Sequence, residues 1–147
     1  MIVSDVMTTG VKTAHADTLV KDLANTMCLN NISGLPIVDE NDKIIGIVSE
    51  KDLLRQMFPD VAELAKEEGI PDFEDMEKGY SDSMGLVASD LMTTTVSSVT
   101  PDMPIMKAAS LMCINKIRRI PVAENNKLVG IISIGDVHKA IFKNSMG

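Results

Sequence analysis

Apolar residues in the first part of the chain recur at a helical period. Leu19, Leu23 and Met27 fall on one face with mostly polar residues between them. Asp17 stands just ahead as an N-cap candidate, so the spacing predicts an amphipathic helix over residues 18–30. The pattern then changes. Leu35-Pro36-Ile37-Val38 and Lys43-Ile44-Ile45-Gly46-Ile47-Val48 are short apolar runs flanking a polar turn, and their β-branched content predicts a strand hairpin. After Ser49, the residues Leu53, Leu54 and Met57 return to helical spacing. The same order reappears late in the chain. Asp102 precedes Ile105, Ala109 and Met112, predicting a helix over residues 103–115, and Val137, Ala140 and Ile141 mark a second closing helix.

The recurrence is a true internal repeat. Sliding the chain by 85 residues aligns 1–39 with 86–124. The identities fall at Ser4, Asp5, Met7, Thr8, Thr9, Val11, Asp17, Ala24, Met27, Cys28, Asn30, Ile32 and Pro36. The match resumes at an offset of 84, pairing Lys43, Gly46, Ile47, Ser49 and Asp52 with Lys127, Gly130, Ile131, Ser133 and Asp136. One residue is lost where Asp39-Glu40-Asn41-Asp42 faces Glu124-Asn125-Asn126, a hairpin turn in which a deletion costs least. The expected organisation is therefore a first repeat over 1–57, an insert over 58–85 and a second repeat over 86–147. Each repeat has the order strand–helix–strand–strand–helix. Within the insert, residues 59–69 are expected to form an acidic helix ending at Gly69. The stretch beyond Pro71 reads as a solvated linker or surface cover, with partner docking as the alternative.

Composition narrows the classes. No apolar run approaches the length of a membrane span, and Met1-Ile2-Val3-Ser4-Asp5 does not resemble a signal peptide, so a soluble cytoplasmic protein is expected. A net charge of −7 argues against nucleic-acid binding, and with three Phe, one Tyr and no Trp there is no stacking platform. Two cysteines and two histidines provide no metal-binding cluster. Cys28 and Cys113 are expected as small buried apolar side chains, and His15 and His138 as ordinary surface or partly buried residues. No nucleophile–base arrangement or phosphate loop is present, so no catalytic residues are assigned and the chain is read as a non-enzyme.

Two features carry candidate chemistry. Ser49-Glu50-Lys51-Asp52 and Ser133-Ile134-Gly135-Asp136 both stand where a strand passes into a helix. Ser followed three residues later by an acid is an ordinary capping box. The same placement also suits a ligand, because a helix start favours phosphate and a carboxylate accepts from ribose hydroxyls. Lys116-Ile117-Arg118-Arg119-Ile120-Pro121 is the one concentrated cationic stretch, read either as a solvated strand edge or as an anion contact. Its counterpart, Asn31-Ile32-Ser33-Gly34-Leu35-Pro36, is uncharged.

The ordered set Asp5-Val6-Met7-Thr8, amphipathic helix, Gly34-Leu35-Pro36-Ile37-Val38-Asp39, Lys43-Ile44-Ile45-Gly46-Ile47-Val48-Ser49 and closing helix resembles the CBS domain, twice over. The resemblance implies a mixed α/β fold, also describable as α+β: two pseudo-symmetric β-α-β-β-α repeats packed through their sheets into a Bateman module. It implies an adenine ligand (AMP, ADP, ATP or S-adenosylmethionine) bound in the cleft between repeats, with no other cofactor. One site would join Ser133 and Asp136 to Val11, Lys12, Ile32 and Ser33. The other would join Ser49 and Asp52 to Val96, Ser97, Ile117, Arg118 and Arg119. In each, Asp would hold the ribose and Ser a phosphate. The resemblance further implies a homodimer regulating a separate protein; a constitutive scaffold with empty clefts is the alternative.

Overall fold

A computed structural model of the chain describes residues 1–57 and 73–147. The elements in order are α1 (Val20–Asn30), β1 (Gly34–Val38), β2 (Ile44–Ser49), α2 (Glu50–Leu54), α3 (Phe73–Asp82), α4 (Ala88–Leu91), α5 (Ile105–Ile114), β3 (Arg119–Glu124), β4 (Lys127–Ser133) and α6 (Ile134–Met146). The strands form two two-stranded sheets, β1 with β2 and β3 with β4, so the fold is mixed α/β; the opening strand expected in each repeat is reduced to a single bridge, Ala14 to Ile37 and Val99 to Val122. The acidic helix expected over 59–69 lies outside the described residues. Beyond it the insert is not merely polar linker. It forms α3 and a short 3-10 turn (Ser83–Gly85), which bring Tyr80 and Met84 against an apolar core.

The hairpins follow their turn chemistry. Asn125 and Asn126 both take positive φ, 52° and 66°, as a two-residue turn requires and Asn tolerates. In the longer first turn, Asp39 accepts from the N–H groups of Asn41 at 2.8 Å and Lys43 at 3.0 Å. The Lys43 bond, then the Asn41 bond, holds its carboxyl below the ordinary carboxylate value. The one-residue difference between repeats is confined to this turn.

Asp17 and Asp102 are not the N-caps. Leu19 and Pro104 hold those positions, and Asp102 instead accepts from the Thr100 hydroxyl at 2.7 Å. The reason lies outside the helices. The first amide of α1, Val20 N–H, is capped by the carbonyl of Leu86 at 2.8 Å, and that of α5, Ile105 N–H, by the carbonyl of Met1 at 3.2 Å. A backbone partner from the other repeat replaces the side-chain cap. Leu19 is accordingly exposed, and the apolar stripe starts at Val20, while in α5 the buried position is Ala108 rather than Ala109.

The chain divides into two compact units, and neither coincides with a repeat. One comprises Met1–Lys12, Val38–Ile44 and Thr95–Gly147; the other comprises Thr13–Ile37 and Ile45–Thr94. Each unit takes its opening segment from the other repeat. In the first unit, Val3 and Ser4 donate to the carbonyls of Met103 and Pro101, both at 2.8 Å, and Thr8 pairs reciprocally with Ile131. In the second, Ala88 and Ser89 donate to Thr18 and Ala16 at 2.8 and 2.9 Å, and Thr93 pairs reciprocally with Ile47. The two sets match residue for residue at the repeat offsets. Each segment also contributes a fully buried side chain to the core it joins. Val3 packs with Val99, Ile105, Met112, Ile120, Ile132 and Val137, whereas Ala88 packs with Val20, Leu23, Met27, Leu35, Ile37 and Val48.

Gly46 and Gly130 make these crossings possible. A Cβ at Gly130 would stand 2.8 Å from the Thr8 carbonyl oxygen and 2.8 Å from Met7 Sδ; one at Gly46 would stand 3.1 Å from the Thr93 oxygen and 2.7 Å from Met92 Sδ. The contacts at Gly130 include a backbone atom too close to tolerate, whereas the shortest contact at Gly46 is to a flexible thioether. Gly130→Ala is therefore expected to destabilise the protein by about 1–3 kcal/mol and Gly46→Ala by less, as urea unfolding of the two variants would measure.

Candidate functional site

The junctions β2–α2 and β4–α6 are built alike. Ser49 and Ser133 are the N-caps, both in extended backbone, with φ of −110° and −113°. Asp52 N–H donates to Ser49 Oγ at 3.3 Å and Asp136 N–H to Ser133 Oγ at 3.0 Å, while each carboxylate Oδ2 accepts from the N–H of its own serine, at 2.8 and 2.9 Å. Both motifs are thus reciprocal capping boxes. The N–H at the first helical position is occupied too, since Glu50 donates to the Ser33 carbonyl and Ile134 to that of Arg118, both at 2.9 Å. Backbone donors that a phosphate would use are in part already committed.

Beyond this shared frame the boxes differ. Ser49 Oγ lies 3.0 Å from Asp52 Oδ2 and donates to it, and Asp52 Oδ1 accepts from Arg55 Nη1 at 3.2 Å. Asp52 is only 4% exposed. In the second repeat Asp136 is half-buried and Lys139 occupies the place of Arg55, with no ion pair to Asp136 among the described residues. Ser133 Oγ and Asp136 Oδ1 have no further hydrogen-bond partner there. The first box is closed on itself, whereas the second retains a hydroxyl donor and a carboxylate acceptor.

The segments ahead of Leu35-Pro36 and Ile120-Pro121 are fixed by the helix ends before them. Asn31 and Lys116 take left-handed φ, 53° and 55°, and Ile32 and Ile117 then donate back to the carbonyls of Met27 and Met112 at 3.0 and 2.9 Å. Ile32 and Ile117 are half-buried, and Ser33, Arg118 and Arg119 are exposed. Val11 and Val96 are half-buried, Lys12 and Ser97 exposed. Within one unit lie Val11, Lys12, Val96, Ser97, Ile117, Arg118, Arg119, Ser133 and Asp136; within the other lie Ile32, Ser33, Ser49 and Asp52. Each residue set expected for a site thus draws on both units.

Cys28 and Cys113 are both exposed, contrary to expectation. Met27 and Met112 take the inward positions, and the next residue, about 100° further round the helix, faces out. His15 and His138 are exposed as well. Arg55 was missed as a functional residue, although Asp52 and Arg55 at a spacing of three on a helix are a readable ion-pair signal.

Paired capping boxes on two exchanged α/β units define a tandem-repeat module. The CBS domain family matches residues 3–58 and 88–143, and the chain belongs to that family. It is 29% identical to an uncharacterised protein of Methanocaldococcus jannaschii, over 96% of this chain and 91% of the relative. It is 32% identical to the chloroplastic CBS domain-containing protein CBSX2 of Arabidopsis thaliana, over 84% of this chain and 55% of that protein, so it spans about half of the relative's length. The crystal structure of CBSX2 superimposes with a TM-score of 0.81 at 29% identity, covering 99% of this chain and 97% of that one. CBSX2 has also been solved in complex with AMP, with a TM-score of 0.76 at 30% identity and 98% of each chain covered.

The unequal boxes carry a stability consequence. Asp52→Ala leaves the Ser49 amide and hydroxyl without their acceptor at a buried position and is expected to cost about 1.5–3 kcal/mol, the solvent-exposed Arg55 adding little. Asp136→Ala loses a simple cap, about 1 kcal/mol. Denaturant midpoints of the two variants at neutral pH would show that order.

Proposed function

We propose that the protein is a non-catalytic regulatory module that binds an adenine nucleotide through its two Ser-x-x-Asp boxes. The observation that supports this most is Asp136, whose half-buried carboxylate has no partner on Oδ1 among the described residues, beside a Ser133 hydroxyl that accepts from Asp136 N–H but donates to none of them, in a chain whose relative CBSX2 has been solved in complex with AMP. The carboxylate would accept from the ribose hydroxyls and the serine would donate to a phosphate. Val11, Lys12, Ile32 and Ser33 would complete this site. Ser49 and Asp52, with Val96, Ser97, Ile117, Arg118 and Arg119, would form a second site, and its arginines favour phosphorylated ligands over adenosine or S-adenosylmethionine. AMP, ADP and ATP are the ligands proposed, and no other cofactor is invoked.

The reading includes a cytoplasmic homodimer that passes ligand occupancy to a separate protein. Among the described residues no helix is long and apolar enough to cross a membrane. A second reading, a constitutive scaffold with empty sites, draws support from the fully satisfied Ser49–Asp52 box.

Calorimetric titration with AMP, ADP, ATP and S-adenosylmethionine separates the two. Binding is expected, and Asp136→Ala should weaken it by roughly 10- to 150-fold, the loss of a charge-assisted hydrogen bond. No heat with any ligand would favour the scaffold. Sedimentation of the same samples is expected to give about twice the 15.9 kDa chain mass, and a monomer at micromolar concentration would remove the homodimer from the reading.

A further inference from the structure

The residue that separates the two boxes is Arg55. Its guanidinium engages Oδ1 of Asp52 at 3.2 Å, the carboxylate oxygen that in the second repeat is uncommitted at Asp136. The Ser49 hydroxyl is turned onto the other oxygen, Oδ2, at 3.0 Å. Both groups that a ribose and a phosphate would address are therefore occupied by the chain itself. We propose that Arg55 is a built-in competitor that holds the Ser49–Asp52 box shut, so that an adenine nucleotide enters that box only when Arg55 swings away.

The proposal rests on the adenine-nucleotide reading, but it concerns access to one box rather than the existence of the sites. Four observations agree with it. Asp52 is buried at 4% exposure, so an oxygen left without a partner there is costly and a competitor is retained. The Arg55 side chain is 70% exposed, so it can leave without breaking any packing. The pair lies at a spacing of three along one helix, which makes it local and reversible. Lys139, at the matching place, is exposed and makes no such pair among the described residues. An exposed partner makes the latch weak. Its effect on apparent affinity equals the fraction of time the carboxylate is released, which for an ion pair of this kind is a factor of about two to five.

The test uses the full chain carrying Asp136→Ala, in which the Ser49–Asp52 box is the intact one. Arg55→Ala and the length-preserving Arg55→Gln are added separately, with thermal melts to confirm that each variant folds. AMP and adenosine are titrated by calorimetry, adenosine serving to remove any attraction between Arg55 and phosphate. Both substitutions are expected to raise the affinity for both ligands by about two- to fivefold. Unchanged affinity after removing Arg55, or a loss confined to AMP, would overturn the latch while leaving the adenine-nucleotide reading standing. Absence of binding to the parent chain would instead bring down that reading and the latch with it.

Discussion

The reciprocal loan of the opening segments is the constraint on which the rest of the structure depends. Without the carbonyl of Met1 the first amide of α5 is uncapped, and without Val3 the core beneath Ile132 has a void; Leu86 and Ala88 do the same for α1 and the core beneath Val48. Backbone pairing to Ile47 and Ile131 then sets each loan in register, and this works because Gly46 and Gly130 present no side chain to the crossing strand. The recurring Ser-Asp-x-Met-Thr pattern has a structural meaning. Its Asp closes a turn onto the N–H of Ile2 or Val87, its Met lies against the glycine, and its Thr makes the strand pair.

Most of the secondary structure was legible because the apolar positions alternate or recur at a period that only one element satisfies. Both hairpins, both long helices and the position of the one-residue deletion could be read from the chain. The exchange was not, because identity at Met7 and Met92 shows that two segments do the same job without showing for which partner. The same blindness misplaced the N-caps: Asp17 and Asp102 have the right chemistry, but a distant carbonyl already holds the amide they would have served. At the junctions the reverse holds. Ser-x-x-Asp specified its local geometry in full, and the ligand reading added to it came from resemblance. The spacing of Arg55 to Asp52 was readable too; what the pattern concealed was how deeply Asp52 is buried, which gives the pair its weight.

Capping and ligand binding draw on the same atoms in this fold. The serine hydroxyl and carboxylate that finish each helix end are the groups assigned to a nucleotide in the proposed function, so under that proposal each box would serve either the chain or a ligand. The two boxes differ in one nearby cation. Arg55 and the Ser49 hydroxyl engage both oxygens of Asp52, whereas among the described residues Lys139 forms no ion pair with Asp136. On the latch proposal, near-identical repeats would acquire different affinities without any change in either motif.

The exchanged segments also impose an order of assembly as the chain is made. One unit consists of residues up to Thr94, so it can close while the remainder is still being translated. The other joins Met1–Lys12 to Thr95–Gly147, segments that lie on opposite sides of the first unit in the sequence. At about 5–20 residues per second, the N-terminal segment waits several seconds for its sheet, with Val3 and Met7 exposed throughout. During that interval the same seat on a neighbouring chain that has not yet closed is a competing destination, which is the route by which two chains would swap segments.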